Sequence, residues 1–193
     1  MIEIIFPRQF FGLIDPPNKE EVLDVFGKDD HLIEGKCKWD HGQCKVKTEY
    51  FSVEGVASVL HPAIYKFFDE FFNDFNRKFK ADITELKLKI PEVWRNTYKE
   101  GYFQEIHDHF PHDIAAVIFL DDPVEGSAEF YFFDNHQTEV TPNWRNIIFR
   151  NSQRSISPPK GTFLFFPGHV MHGVSFHKLN TIRRTVSFNI NLK

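Results

Sequence analysis

Hydrophobic residues follow a helical period in the first half of the chain and a strand-like period in the second. After His61-Pro62, Ile64, Phe67, Phe68, Phe71, Phe72 and Phe75 fall at i, i+3, i+4 spacing, with Lys66, Asp69, Glu70 and Asp74 between them. This predicts an amphipathic helix of about five turns. Its phenylalanine stripe is expected to pack on the outside of a sheet; a partner-binding face is the alternative. A shorter helix is predicted over Lys19 to Phe26, with Asn18 as N-cap and Gly27 as its stop. The segments TELKLKI, WRNTY, IAAVIFL, SAEFYFFD, GTFLFFP and TVSFNINL are β-rich runs separated by Gly, Pro, Asp and Asn. Many short strands late in the chain and helices confined to its start predict a mainly β jelly roll flanked by helices.

The length of 193 residues suits one domain, with residues 1–92 as helical support and outer strands and residues 93–193 as the core. Phenylalanine accounts for 23 residues, which read as bulky core fillers. With 27 acidic against 23 basic side chains, there is no global electrostatic case for binding nucleic acid or an anionic membrane. Glu3 stands where a secretory signal would be basic, and no apolar run reaches membrane-spanning length. The expectation is a cytoplasmic protein. Cys37 and Cys44 flank WDHGQ in a predicted hairpin. A zinc site with His41 would lack a fourth ligand, so two reduced thiols are expected.

The residues that carry chemistry lie in the β-rich half. In an extended strand His107 and His109 project to one face, and a third histidine, His172, follows in FFPGHVMH. Three ligands on one side of an octahedral ion leave positions open for a co-substrate and dioxygen, as in non-heme Fe(II) oxygenases. Glu105 shares the predicted face and is an alternative third ligand, as is Asp108 if the strand is irregular there. His112 and His169 are lesser candidates; His31, His61, His136 and His177 read as surface or capping residues. In RRTVSFN, alternation places Arg183, Thr185, Ser187 and Asn189 on one face and Arg184, Val186 and Phe188 on the other. A guanidinium is suited to a carboxylate because its planar fork donates two parallel hydrogen bonds. Trp94 reads as core. The irregular stretch from Asp134 to Lys160, containing Trp144, Arg145, Arg150 and Arg154, is either a substrate cover or a solvated excursion with one short strand, IIFR.

W-x-N-x-Y-x-x-G from Trp94 to Gly101, then Gln104 to His109, then G-x-x-x-F-F-P-x-x-x-x-H-x-V, then R-x-T-x-S-F-N resembles the 2-oxoglutarate-Fe(II) oxygenases of bacteria and bacteriophages, relatives of the prolyl 4-hydroxylase-type enzymes. The resemblance spans Val93 to Leu192. It implies a double-stranded β-helix (jelly roll, cupin-like) with Fe(II) on His107, His172 and a third residue, and with dioxygen and 2-oxoglutarate as co-substrates. Most of the superfamily has a carboxylate where His109 stands. The family's R-x-S/T pattern implies that Arg183 and Thr185 take the distal carboxylate of 2-oxoglutarate, with Arg184 outward. Tyr98 is implied as a further co-substrate contact, and Asn96, which shares its strand face, is expected to help, unless either serves to satisfy buried backbone groups. The implied activity is hydroxylation of a peptidyl residue such as proline, or of a small metabolite, releasing succinate and carbon dioxide. The competing readings are a three-histidine cupin-like dioxygenase that uses no diacid and a non-catalytic jelly-roll binding protein.

Overall fold

A computed structural model of the chain describes residues 9–34, 45–79, 87–134, 141–143 and 153–193. Its elements in chain order are β1 (Gly12–Ile14), α1 (Lys19–Gly27), β2 (Lys47–Phe51), α2 (Val53–Phe79), β3 (Leu88–Lys89), β4 (Val93–Tyr98), β5 (Gln104–His107), β6 (Ile114–Phe119), β7 (Phe130–Phe133), β8 (Gln153–Ile156), β9 (Phe163–Pro167), β10 (His172–Val174) and β11 (Arg183–Leu192). The strands pair into two antiparallel sheets. The larger has the order β1-β9-β6-β11-β4-β2, with β3 beside β11; the smaller is β5-β10-β7-β8.

The larger sheet is covered on both faces, so β4, β6 and β9 are buried along their whole length. In β6, Ile114, Ala116 and Ile118 join a core shared with the helices, while Ala115, Val117 and Phe119 join a second core. β9 divides likewise, with Phe163 and Phe165 toward the helices and Leu164 and Phe166 on the other side. Phe130, Ile156 and Val174 of the smaller sheet complete the second core, which therefore lies between the sheets. The jelly roll with outer helices expected from the sequence is the fold observed.

The phenylalanine stripe packs on the outside of a sheet as expected. Phe67 stacks flat on Phe165 of β9, with centroids 4.4 Å apart and planes at 10°. Its helix, however, begins at Val53, well before Pro62. A proline inside a helix costs about 3 kcal/mol, but Val56, Val59 and Leu60 upstream of it are buried in the core, and that burial outweighs the cost. Asn18 also departs from expectation. It occupies the N-cap position of α1 but makes no side-chain capping bond. Its Nδ2 instead donates to the Val59 carbonyl of α2 at 3.1 Å and to Glu21 at 3.0 Å.

The edge strand β8 was not anticipated: three of its four residues are exposed and only Ile156 is buried, so it carries no alternating signature. The expected IIFR strand, the Cys37–Cys44 hairpin with His41, His136, and most of the Asp134–Lys160 stretch lie outside the described residues. No helix among the described residues is long and apolar enough to cross a membrane.

Candidate metal centre

Antiparallel pairing of β5 with β10 sets His107 opposite His172, with ring centroids 4.3 Å apart. His109 lies beyond the end of β5. Its backbone N–H donates to the Gly168 carbonyl at 2.7 Å, which ties it to the turn after β9. Gly168 must be glycine there, because a β-carbon would overlap the His112 carbonyl. The His109 ring is then 5.4 Å from that of His107 and 5.0 Å from that of His172. One nitrogen from each of the three histidines lies within 4.8 Å of the others, and no carboxylate or thiol among the described residues joins this cluster.

Each Nδ1 already faces an oxygen: His107 the Glu105 carbonyl at 2.8 Å, His172 the Val170 carbonyl at 2.9 Å, and His109 the Asn189 Oδ1 at 2.6 Å. An oxygen acceptor requires a proton on Nδ1, which leaves Nε2 with its lone pair in all three rings. Burial reinforces the neutral form. It lowers the pKa of His107, and that of His109 to about 4, with His107 as the next contributor. The enclosed His172 is pushed well below the ordinary histidine value, by burial first and then by the two neighbouring rings. Neutral imidazole is the ligand form.

The open question of the third ligand turns on a β-bulge. The β5–β10 register runs from His172↔His107 to Val174↔Gln104, one residue more on β5 than on β10. The extra residue reverses the alternation, so Gln104 and His107 both line the cavity at the cluster and Glu105 does not. The expectation that Glu105 shares the His107 face is therefore not met. Asp108 lies on the outer side of the histidines, where its Oδ1 accepts from the Phe110 N–H at 3.2 Å.

The cavity floor comes from two neighbouring strands of the larger sheet. Pairing of β11 with β4 sets Arg183 against Tyr98 and Thr185 against Asn96, and all four side chains line the same cavity as His107, His109 and His172. Arg183 is 7% exposed, and its Nη1 has no hydrogen-bond partner among the described residues. Its guanidinium carbon lies 5.6 Å from the Phe119 ring centroid and 5.9 Å from that of Tyr98. Burial lowers its pKa, but a guanidinium keeps its charge. Arg184 points away and pairs with Asp121 at 3.1 Å. The Tyr98 hydroxyl donates to Gln104 Oε1 at 2.8 Å, and Gln104 Nε2 approaches His107 Nε2 at 3.5 Å. Asn96 accepts from Thr48 Oγ1 at 3.0 Å and donates to Ser187 Oγ at 3.4 Å.

Several contributors were not read from the sequence as part of the site. Trp94 stacks on His109 at 5.7 Å and Phe130 on His172 at 5.2 Å, so these aromatics fix imidazole planes as well as filling core. Gln104 and Asn189 carry roles that only the bulge and the strand register reveal; the alternation of RRTVSFN already puts Asn189 on the Arg183 face. The other described histidines stay apart from the cluster. His112 bonds Asn191 at 2.8 Å, and His169 is exposed. His177, expected as a surface or capping residue, is 1% exposed and bonds backbone groups: its Nδ1 accepts from the Ala128 N–H at 3.0 Å and its Nε2 meets the Thr181 carbonyl at 3.0 Å.

The comparisons with known proteins agree with this picture. No curated protein matches the chain in sequence. Among solved structures, it is similar to an oxidoreductase of the 2OG-Fe(II) oxygenase family from Burkholderia pseudomallei, at 12% identity and TM-score 0.60, covering 94% of this chain and 84% of that one. It is also similar to a Pseudomonas putida prolyl-4-hydroxylase, at 12% identity and TM-score 0.56 over 95% and 92%. A third is HygX from Streptomyces hygroscopicus with nickel, 2-oxoglutarate and hygromycin B bound, at 11% identity and TM-score 0.60 over 97% and 84%. These likenesses establish the double-stranded β-helix. A family profile described as "Putative 2OG-Fe(II) oxygenase" matches residues 92–189, just over half of the chain. The chain therefore belongs to the 2OG-Fe(II) oxygenase family, whose name states its metal and its co-substrate.

Proposed function

We propose that the protein is a cytoplasmic 2-oxoglutarate-dependent hydroxylase that holds Fe(II) on His107, His109 and His172 and acts on a peptidyl residue such as proline or on a small metabolite. The observation that carries this reading is a buried cation lacking a partner on Nη1, Arg183, in the cavity reached by three imidazoles. The donor set fits the metal: three neutral rings, each with Nδ1 engaged by an oxygen and the lone pair on Nε2. The unpaired guanidinium nitrogen fits a diacid, since it lacks the acceptor that a distal carboxylate would supply.

Fe(II) with 2-oxoglutarate and dioxygen supplies the oxidising chemistry: the co-substrate loses carbon dioxide and becomes succinate with one oxygen atom, and the other converts a substrate C–H to C–OH. The chain's own residues orient and enclose. Arg183, with Thr185 beside it, anchors the distal carboxylate, and the Tyr98 hydroxyl, now donating to Gln104, can turn its proton to a bound carboxylate. Phe130, Phe166 and Val174 wall the centre and keep water from it. The prolyl-hydroxylase and hygromycin-bound neighbours support the two substrate classes, peptidyl and small-molecule, without choosing between them.

Anaerobic addition of Fe(II) and then 2-oxoglutarate tests the reading through a weak visible charge-transfer band. Iron binding with no response to the diacid would favour a cupin-like three-histidine dioxygenase, and failure to bind iron a non-catalytic jelly roll. Succinate release across peptide, nucleobase and amino-acid pools then identifies the substrate class.

A further inference from the structure

His107 and His172 are each oriented by a carbonyl two residues upstream. His109 has left β5, and its Nδ1 is met instead by a side chain from β11, Asn189, which is 2% exposed. The other end of that amide, Nδ2, donates to Glu92 Oε1 at 3.1 Å. Because Phe188 pairs with Val93, Asn189 comes level with Glu92 across the β11–β4 ladder.

We infer that Asn189 and Glu92 are positioning residues that fix His109 as a metal ligand, with Glu92 setting the ring's tautomer through the amide. The inference rests on the reading of His109 as a ligand. A carboxylate only accepts hydrogen bonds, so the amide NH2 must face Glu92 and the amide oxygen must face His109. That oxygen in turn requires the His109 proton on Nδ1. Flipping the amide would set oxygen against carboxylate and N–H against N–H. The chain therefore places a negative charge one amide away from the third ligand, where most of the superfamily has a carboxylate on the metal itself. Outer partners of this kind orient a metal-bound imidazole and raise its basicity. The carboxylate also lies 4.0 Å from His112 Nε2, which is not in the metal cluster.

The test compares wild type with Glu92→Gln, a change of one atom on a partly exposed side chain. Glutamine can donate as well as accept, so it frees the Asn189 amide to flip. In metal-free protein above pH 7, nitrogen NMR of labelled histidine should show His109 as the Nδ1–H tautomer in wild type and as a tautomer mixture in Glu92→Gln. Co(II) affinity by calorimetry should fall about tenfold or more, while Tm moves by about 2 °C or less, as for a change away from core packing. Asn189→Ala should lose as much, with Glu92→Gln adding nothing to it; should that variant not fold, the Glu92→Gln measurements decide. An unchanged tautomer with Co(II) affinity within twofold of wild type overturns the inference, as do additive losses in the double variant. Wild type that binds Co(II) but ignores 2-oxoglutarate would sink the hydroxylase proposal and leave this one standing.

Discussion

Replacing Arg183 with methionine should move two properties in opposite directions. Arg183 is 7% exposed, its Nη1 has no acceptor among the described residues, and the carboxylates that favour its charge, Asp121 and Glu129, act only at a distance. Exchanging poorly compensated buried charge for an apolar side chain of similar length ranges from neutral to about 4 kcal/mol stabilising. Each kcal/mol gained raises the melting temperature by about 2–4 °C in a domain of this size. Binding of 2-oxoglutarate should suffer instead. Truncating one partner of a buried charge pair costs about 2–5 kcal/mol, a Kd increase of about 30-fold to several thousandfold. The assays are thermal unfolding of the metal-free protein and anaerobic titration of the charge-transfer band. Arg184→Ala is the control. Its pair with Asp121 is partly solvated and contributes about 1 kcal/mol or less, so its Kd should stay within about twofold of wild type. The reasoning is refuted if Arg183→Met melts well below wild type while binding 2-oxoglutarate normally, or if both arginine variants weaken binding equally.

Gly168→Ala should destabilise by about 1–3 kcal/mol, the scale of an overpacked site, and weaken Co(II) binding, since the clash moves the turn that holds His109. Gly27→Ala, where nothing lies near the added carbon, should do neither; denaturant midpoints and metal titration separate the two. The pH dependence follows from His109, held at about 4 when folded and near its ordinary 6.5 when unfolded. Between these values the unfolded chain binds more protons. The metal-free protein should therefore lose stability as pH falls from 6.5 toward 4, by about 1.4 kcal/mol per pH unit for one histidine at full effect. His107 and His172 act in the same direction. Urea midpoints between pH 7 and pH 5 measure this, and a midpoint that rises on acidification would contradict it.

The parts of the site legible in the sequence are those governed by simple alternation. On the regular strand β11 period two separated the Arg183 face from the Arg184 face, the R-x-S/T pattern of the resemblance chose between them, and His172 was found from its place in FFPGHVMH. The Glu105 face was misjudged for a local reason: the β5–β10 register carries one extra residue on β5, and nothing in QEIHDH announces a bulge. The start of α2 was hidden by treating Pro62 as a boundary, although hydrophobic burial before it exceeds the cost of an interior proline. Asn189 stood on a predicted inward face, yet its link to Glu92 depends on cross-strand register, which single-strand patterns do not contain.

That register is also what fixes the chemistry, and it is specified by residues remote from the site. A slip of one position in β11 would exchange Arg183 for Arg184 and turn Thr185 and Asn189 away from the cavity. Such a slip would also drive Val186, Phe188 and Ile190 out of the helix-facing core, where each is completely buried. Removing three such side chains from apolar surroundings costs about 1.5–3 kcal/mol each, which is comparable to the whole stability of an ordinary domain. The apolar face of β11 therefore holds its polar face in place, and an Arg183 Nη1 with no acceptor among the described residues is tolerated because the packing behind it leaves no competing alignment.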